Sequence, residues 1–531
     1  MDAKLSSAGN KLGNLASSIA DGALKSNGRL FSTFFLLILA LKWPFLGIQP
    51  VWDEAFSIFP AAQFLVDNGF DYVHLMEQPR YHDGGPTAHA LSLMTLVTAL
   101  VLKVTGGGTP AWVILRVMQW LMAASIAVML TRMLSALIGK YSALLLSLAC
   151  LVYPIVLAQL GFMYLEVPVL FFTLLAFTLF FKSRILPSTL FLVVACLIKG
   201  SALIGVGALV LTVLCCQEKN LCRRFLDALI LTAPSLVAVK AIMVVSDSRL
   251  SMTYHQSHSD IVSGMINKSI LIYQAYISIV PDMIIIYGAS IFISFMLILK
   301  LLNKNARING QQKQIIYFHS FLIIVFFFFY FVLYNLIQQD DSSFLTRYFA
   351  YAIPSMLFII FYMIDRVLRN EGILIIILVL IISVFLVNRS GALYPSLHFP
   401  NIAMAERSEE YIDGYLVAQE YIDLLEKRVP RDVPVFVSLP DYFLTQYPVN
   451  RYVTKPLSNV RYIGNVLRVE RLGFEYPDHF VLVYSYPWLG GQYILSMFRD
   501  VTQRKDLSVE FLGQFSRGAF HGHVIEVRRK R

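Results

Sequence analysis

The sequence predicts a polytopic α-helical membrane protein of about eleven transmembrane helices, with interfacial helices on its outer face and a soluble C-terminal α/β domain. Three observations carry that expectation. The 531-residue chain is 57% hydrophobic and 15% charged, with a mean hydropathy of +0.64, more apolar than a water-soluble domain. Apolar runs of about twenty residues, enough to cross the hydrocarbon at about 1.5 Å per residue, recur between residues 30 and 387. From Asn388 onward charges and prolines become common and such runs cease. The chain therefore divides into an N-terminal segment 1–29, a membrane domain 30–387 and a C-terminal domain 388–531.

Residues 1–29 are polar and carry Lys4, Lys11, Lys25 and Arg29 ahead of a full-length span, so they read as a cytoplasmic segment and not as a cleaved signal. The first span covers about 30–48, with Lys42 placed to reach the outer interface and Pro50 breaking the helix beyond it. A long outer loop, 49–110, follows, and within it 86–105 is apolar enough to pass for a span. Charge parity decides against a crossing there, because it would turn the basic loops 132–140 and 182–184 outward. Read as an interfacial helix, it leaves both loops in the cytoplasm. Spans follow at about 111–131, 141–159 and 167–181. The stretch 186–216 reads as two short helices meeting near the outer face, with Lys199-Gly200 at their apex, since basic loops flank both ends. Spans near 226–245, 283–302, 315–337, 347–364 and 372–387 then keep Arg223-Arg224, Lys300, Lys304, Arg307, Lys313, Arg366 and Arg369 on the cytoplasmic side. This parity places the C-terminal domain outside. Its pattern gives a helix at 408–428, strands at 433–439 and 480–484, a helix at 490–500, and strands at 508–515 and 521–528.

The net charge of +10 sits largely in short loops between spans, so it serves topology and contact with anionic lipid, with no nucleic-acid partner implied. Cys150, Cys196, Cys215, Cys216 and Cys222 all lie in or beside apolar runs. The C-terminal domain has no disulfide of its own, and the absence of exported cysteines points to a bacterial inner membrane with that domain in the periplasm.

Charges that a membrane protein bears at some cost gather on the outer side: Asp53, Glu54, His82, Asp83, Glu166, Lys199, His255, His258 and Arg347. Val51-Trp52-Asp53-Glu54-Ala55 heads the group, two adjacent carboxylates on an aromatic platform just past the first span. Carboxylates suit an acceptor that must lose a proton, and Lys or Arg suits a phosphate that must leave with its charge. Asp53 is then the general base, with Glu54 and Glu166 as further acids, and Lys199 and Arg347, with Tyr348 beside it, hold the departing phosphate. His82, Asp83, Tyr164, Tyr254, His255 and His258 are further substrate-facing candidates. Each also has a plainer reading. Glu166 caps a helix N-terminus, Lys199 snorkels, Arg347 pairs with Asp340 or Asp341, His82 and Asp83 order their loop, and His255 and His258 are solvated. No cofactor is required by these residues; a divalent metal held by Asp53 and Glu166 is compatible with them.

Trp52-Asp53-Glu54-Ala55, the helix 86–105 leading to Gly106–Gly108, Tyr164-Leu165-Glu166-Val167-Pro168, Ile198-Lys199-Gly200 and Arg347-Tyr348-Phe349-Ala350-Tyr351-Ala352-Ile353-Pro354 stand in the order found in GT-C membrane glycosyltransferases. The chain resembles the branch holding protein O-mannosyltransferases and lipid A aminoarabinose transferases, over about residues 30–390. The resemblance implies inverting sugar transfer from a polyprenyl-phosphate donor to a protein, lipid or glycan acceptor at the outer face, with the first-loop acid at Asp53 and the second-loop acid at Glu166. Tyr81-His82-Asp83-Gly84-Gly85-Pro86 departs from the family's His-Pro-Pro or Lys-Pro-Pro element, and Glu166 stands where Asp is commoner. Two other readings compete: a flippase for lipid-linked sugars, which calls for mid-membrane charges and related halves, and a polysaccharide polymerase or ligase using a lipid-diphosphate donor.

Overall fold

The computed structural model describes residues 21–51, 54–77, 92–215, 220–250, 281–302, 308–329, 346–388, 411–462, 476–486, 491–518 and 520–530. It is mostly helical, with one sheet near the C-terminus. Three of the described helices are long and apolar enough to cross a membrane: Asn27–Phe45, Thr109–Leu134 and Ile285–Leu302. Shorter apolar helices pack between them.

Helix α1 (Asn27–Lys42) starts at Ser26, whose hydroxyl accepts the Arg29 N–H, and ends eight residues before Pro50. Pro44 does what Pro50 was expected to do, turning the chain through a 3-10 segment, Trp43–Phe45. Lys42 stands just before this turn. Its side chain is buried within the protein, with the ammonium 4.7 Å over the Phe45 ring. A π-turn (Glu54–Ile58), α2 (Phe59–Asp67) and α3 (Tyr72–Glu77) follow. Helix α4 (Leu93–Thr105) lies within the expected interfacial stretch and ends at left-handed Gly106.

Helix α5 (Thr109–Leu134) is the longest of the apolar crossings. The next run breaks in two, α6 (Lys140–Val152) and α7 (Pro154–Gln159), because Pro154 forces Tyr153 into extended backbone. Helix α8 (Glu166–Phe181) returns against α9 (Ile185–Ile198). The expected apex is present: Lys199 is extended between α9 and a 3-10 turn (Gly200–Ala202) that leads into α10 (Leu203–Cys215). Then come α11 (Leu221–Leu250), α12 (Pro281–Leu302), α13 (Gly310–Phe327), a 3-10 turn (Thr346–Tyr351), α14 (Ile353–Leu368) and α15 (Glu371–Asn388). Tyr351 donates to Thr173 Oγ1 at 3.0 Å, which seats the 3-10 turn on α8.

The C-terminal domain has α16 (Tyr411–Arg428), β1 (Val435–Val437), α17 (Leu439–Gln446), β2 (Val460–Tyr462), β3 (His479–Tyr486), α18 (Gly491–Gln503), β4 (Leu507–Arg517) and β5 (Phe520–Arg529). The sheet order is β2-β1-β3-β5-β4, parallel through β3 and antiparallel beyond it. Both α17 and β2 lie outside the sequence expectation. Alternation along β3 sends Phe480 and Leu482 to one face with Met497 and Val501 of α18, and Val481 and Val483 to the other. Helix α16 covers that second face and approaches so closely that a side chain at Gly522 would meet Tyr421 and Val417.

Candidate active site

Arg116 organises one end of the helical bundle. It sits one turn into the apolar part of α5 and is fully buried. Its Nη1 donates to the carbonyls of Phe45 (2.6 Å), Leu46 (3.2 Å) and Ile48 (2.6 Å), and its Nη2 to Gln49 O and Glu54 Oε2, both at 3.3 Å. Four carbonyls of the turn after α1 thus converge on one guanidinium, and Phe45 O also accepts the Ile48 N–H at 3.3 Å. Its carbon also lies 5.4 Å over the Phe162 ring.

Glu54 completes this node and is itself 2% exposed. Oε2 accepts from Arg116 and from the Val51 N–H (3.2 Å), and Oε1 accepts the Met163 N–H at 2.6 Å. The carboxylate thus ties the acid-bearing loop to the turn 160–165. The same turn is fastened to α5 by Gln119, which donates to Gln159 O (3.2 Å) and Tyr164 O (3.4 Å), and by Trp120, which donates to Leu160 O at 2.6 Å. Arg116, Gln119 and Trp120 fall at i, i+3 and i+4, so one helix face holds both loops. Tyr164 is buried in that turn, edge-on to Phe162.

Three residues after Met163, Glu166 opens α8. Its Oε1 accepts from Lys199 Nζ at 2.5 Å, the two side chains being 5% and 12% exposed. The carboxylate therefore pairs with a cation besides standing at a helix N-terminus. Ser92, the N-cap of α4, accepts from the Met94 N–H and donates to Ile198 O at 2.8 Å, which fixes α4 to the break that presents Lys199. Below Glu166 lies a narrow apolar cavity between α5, α6, α7 and α8, lined by Ala127, Ser147, Cys150 and Leu170 and closed by Ala350 and Pro354.

The structure thus brings Glu54, Tyr164, Glu166 and Lys199 to one end of the bundle. Arg347 and Tyr348 lie on the 3-10 turn packed against α7 and α8, and their side chains are outside the described residues. Asp53, His82, Asp83, Tyr254, His255 and His258 also lie outside the described residues. Among the described residues, no three His, Cys, Asp or Glu side chains gather as a metal site. Sequence reasoning passed over Arg116, although a lone charge in the run 109–131 was the available signal.

No protein-family model matches the chain, and no curated protein matches it. Two solved structures are similar to it along most of their length. One is ArnT from Cupriavidus metallidurans bound to undecaprenyl phosphate, with 12% identity and a TM-score of 0.41 over 93% of this chain and 97% of that one. The other is ArnT from the same organism in the apo state, with 13% identity and a TM-score of 0.43 over 94% and 98%.

Proposed function

We propose that the protein is a membrane glycosyltransferase that moves a sugar from a polyprenyl-phosphate donor to an acceptor at the outer face of a bacterial inner membrane. The observation that carries this reading is the Glu166–Lys199 pair. It sets a cation at a helix break, against a carboxylate that lines an apolar cavity and stands three residues after Met163, whose N–H Glu54 accepts. A lipid phosphate needs a cation at such a boundary, where water is scarce and charge is costly.

In the reaction, the acceptor oxygen or nitrogen attacks the anomeric carbon as the bond from that carbon to the phosphate oxygen breaks. Asp53 takes the acceptor proton, and the polyprenyl phosphate leaves with the bonding electrons, its charge met by Lys199 and Arg347. Glu54 is assigned a different task from its neighbour. Both of its oxygens are occupied by Arg116 and by backbone N–H groups, so it anchors the loop while Asp53 reacts. Glu166 holds Lys199 in place until the phosphate arrives. A divalent cation bound by Asp53 and Glu166 would have to share Glu166 with Lys199, whose ammonium already lies 2.5 Å from Oε1. Tyr348, His82, Asp83, Tyr254, His255 and His258 remain assigned to substrate contact on sequence grounds.

The test is release of labelled sugar from synthetic polyprenyl monophosphate and diphosphate donors, each offered with protein, lipid and glycan acceptors. Turnover of a monophosphate donor by wild type, abolished in a folded Asp53→Asn variant, is the expected result. Turnover of diphosphate donors alone would replace the reading with a polymerase or ligase. Full activity without Asp53 would remove the assigned base.

A further inference from the structure

The C-terminal domain reaches the acid-bearing loop through the turn that follows α17, a 3-10 segment Pro448–Asn450 with Arg451 and Tyr452 behind it. Asn450 is fully buried, and its Nδ2 donates to Ala55 O at 2.7 Å. The Tyr452 hydroxyl, also buried, donates to Pro50 O at 3.2 Å. These two carbonyls bracket Trp52 and Asp53 in the sequence. From the loop's side, Gln49 Nε2 donates to Arg451 O (3.1 Å) and to Gln419 Oε1 (3.0 Å).

The contact is held by more than hydrogen bonds. Arg451 has φ +60°, a left-handed conformation that costs a non-glycine residue and persists where the surroundings impose it. Its guanidinium lies against the backbone of Gly108, where a Cβ would collide with it, and 6.0 Å over the Trp112 ring. Gly108, at φ +70° and ψ −154°, is in a region open in practice to glycine alone. The loop is therefore gripped twice: Arg116 and Glu54 hold it from the membrane side, and Asn450 and Tyr452 from the C-terminal domain.

We infer that Asn450 and Tyr452 are positioning residues of the transfer site, so that the C-terminal domain sets the geometry of the catalytic loop. This rests on the reading of Asp53 as the base. An acid that must meet an acceptor proton in line with a breaking bond loses rate steeply when its loop shifts by as little as about 1 Å. The hydrogen bonds involved are made to main-chain carbonyls, so they fix the path of the loop whatever side chains it carries.

The test uses the full-length protein in detergent or nanodiscs, with Asn450→Leu and Tyr452→Phe. Tyr421→Phe serves as control, since it removes a hydroxyl bonded to Asp441 inside the same domain and does not touch the loop. Losing one buried donor to the loop should lower kcat about tenfold in Asn450→Leu, and less in Tyr452→Phe, with donor KM unchanged. The control should keep wild-type kcat. Hydrogen exchange is the second arm: the amides of Val51, Glu54 and Ala55 should exchange about tenfold faster in Asn450→Leu than in wild type. Unchanged kcat in both variants, an equal fall in the control, or unchanged loop exchange would each overturn the inference. The exchange arm needs no substrate. Faster loop exchange in a protein that turns over no donor would retain the clamp and reject the glycosyltransferase reading.

Discussion

Glu54–Arg116 and Glu166–Lys199 are both carboxylate–cation pairs in apolar surroundings, and they differ in how each partner is held. Arg116 spreads its two terminal nitrogens over four carbonyls and a carboxylate, and the two charged side chains are themselves buried. Lys199 is a point charge on a flexible stem at a break between two helices, and 12% of its side chain remains exposed. A planar fork on a fixed set of acceptors stays put, whereas a single ammonium can exchange one anion for another. The difference separates an anchor from a charge able to meet a substrate, two roles that residue type alone does not distinguish.

The sharpest way to break the comparison is Arg116→Leu. It leaves Glu54 buried without its cation and removes the guanidinium from four carbonyls, a loss of about 3–5 kcal/mol. The expected outcome is a large fall in the thermal transition in detergent, or no folded protein by size exclusion. Arg116→Leu protein as stable as wild type would remove the anchor role.

Lys199→Met comes next and should act on rate more than on fold. The expected result is a fall in kcat of about 100-fold or more from losing a charge at the leaving phosphate, with a smaller stability loss than Arg116→Leu. Lys199→Arg should recover part of the rate. Stability collapse with unchanged kcat in the surviving protein would make the two pairs equivalent.

The smallest effect concerns a third buried carboxyl, in the C-terminal domain, whose partners are hydroxyls. Asp441 accepts from Tyr421 and from the hydroxyls of Ser438 (2.6 Å) and Ser485 (2.7 Å), and burial pushes its carboxyl above the ordinary carboxylate range. The folded state thus binds this proton more tightly than the unfolded state does. Its contribution to stability is complete below the unfolded value and is lost as pH rises through the raised one. Asp441→Asn should flatten that slope, seen as thermal transitions that vary less than wild type as pH rises above the ordinary carboxylate range. An unaltered pH dependence would show that Asp441 is not the group responsible.

Much of this architecture was legible in the chain. The apolar runs, the break at Lys199-Gly200, the helix ending at Gly106 and the helix–strand pattern after residue 411 follow from periodicity, basic flanks and glycine. Local rules misplaced other features. Pro44 and not Pro50 ends the first helix, and Pro154 splits a run that composition reads as one. Three-residue strands such as β2 carry too little pattern to be seen, because they form only when neighbouring strands supply their hydrogen bonds.

By itself the sequence determined that this chain is mostly apolar helix with a mixed C-terminal domain, and that its costly charges lie near a few helix ends. That much depends on which side chains tolerate hydrocarbon and which turns tolerate proline or glycine, both local properties. The tertiary structure alone decided which charge faces which. It set Glu54 on Arg116 across 62 positions, Glu166 on Lys199 across 33, and Asn450 on Ala55 across 395. Those pairings arise because a buried polar group must find a partner wherever packing brings one, and packing is a property of the whole chain.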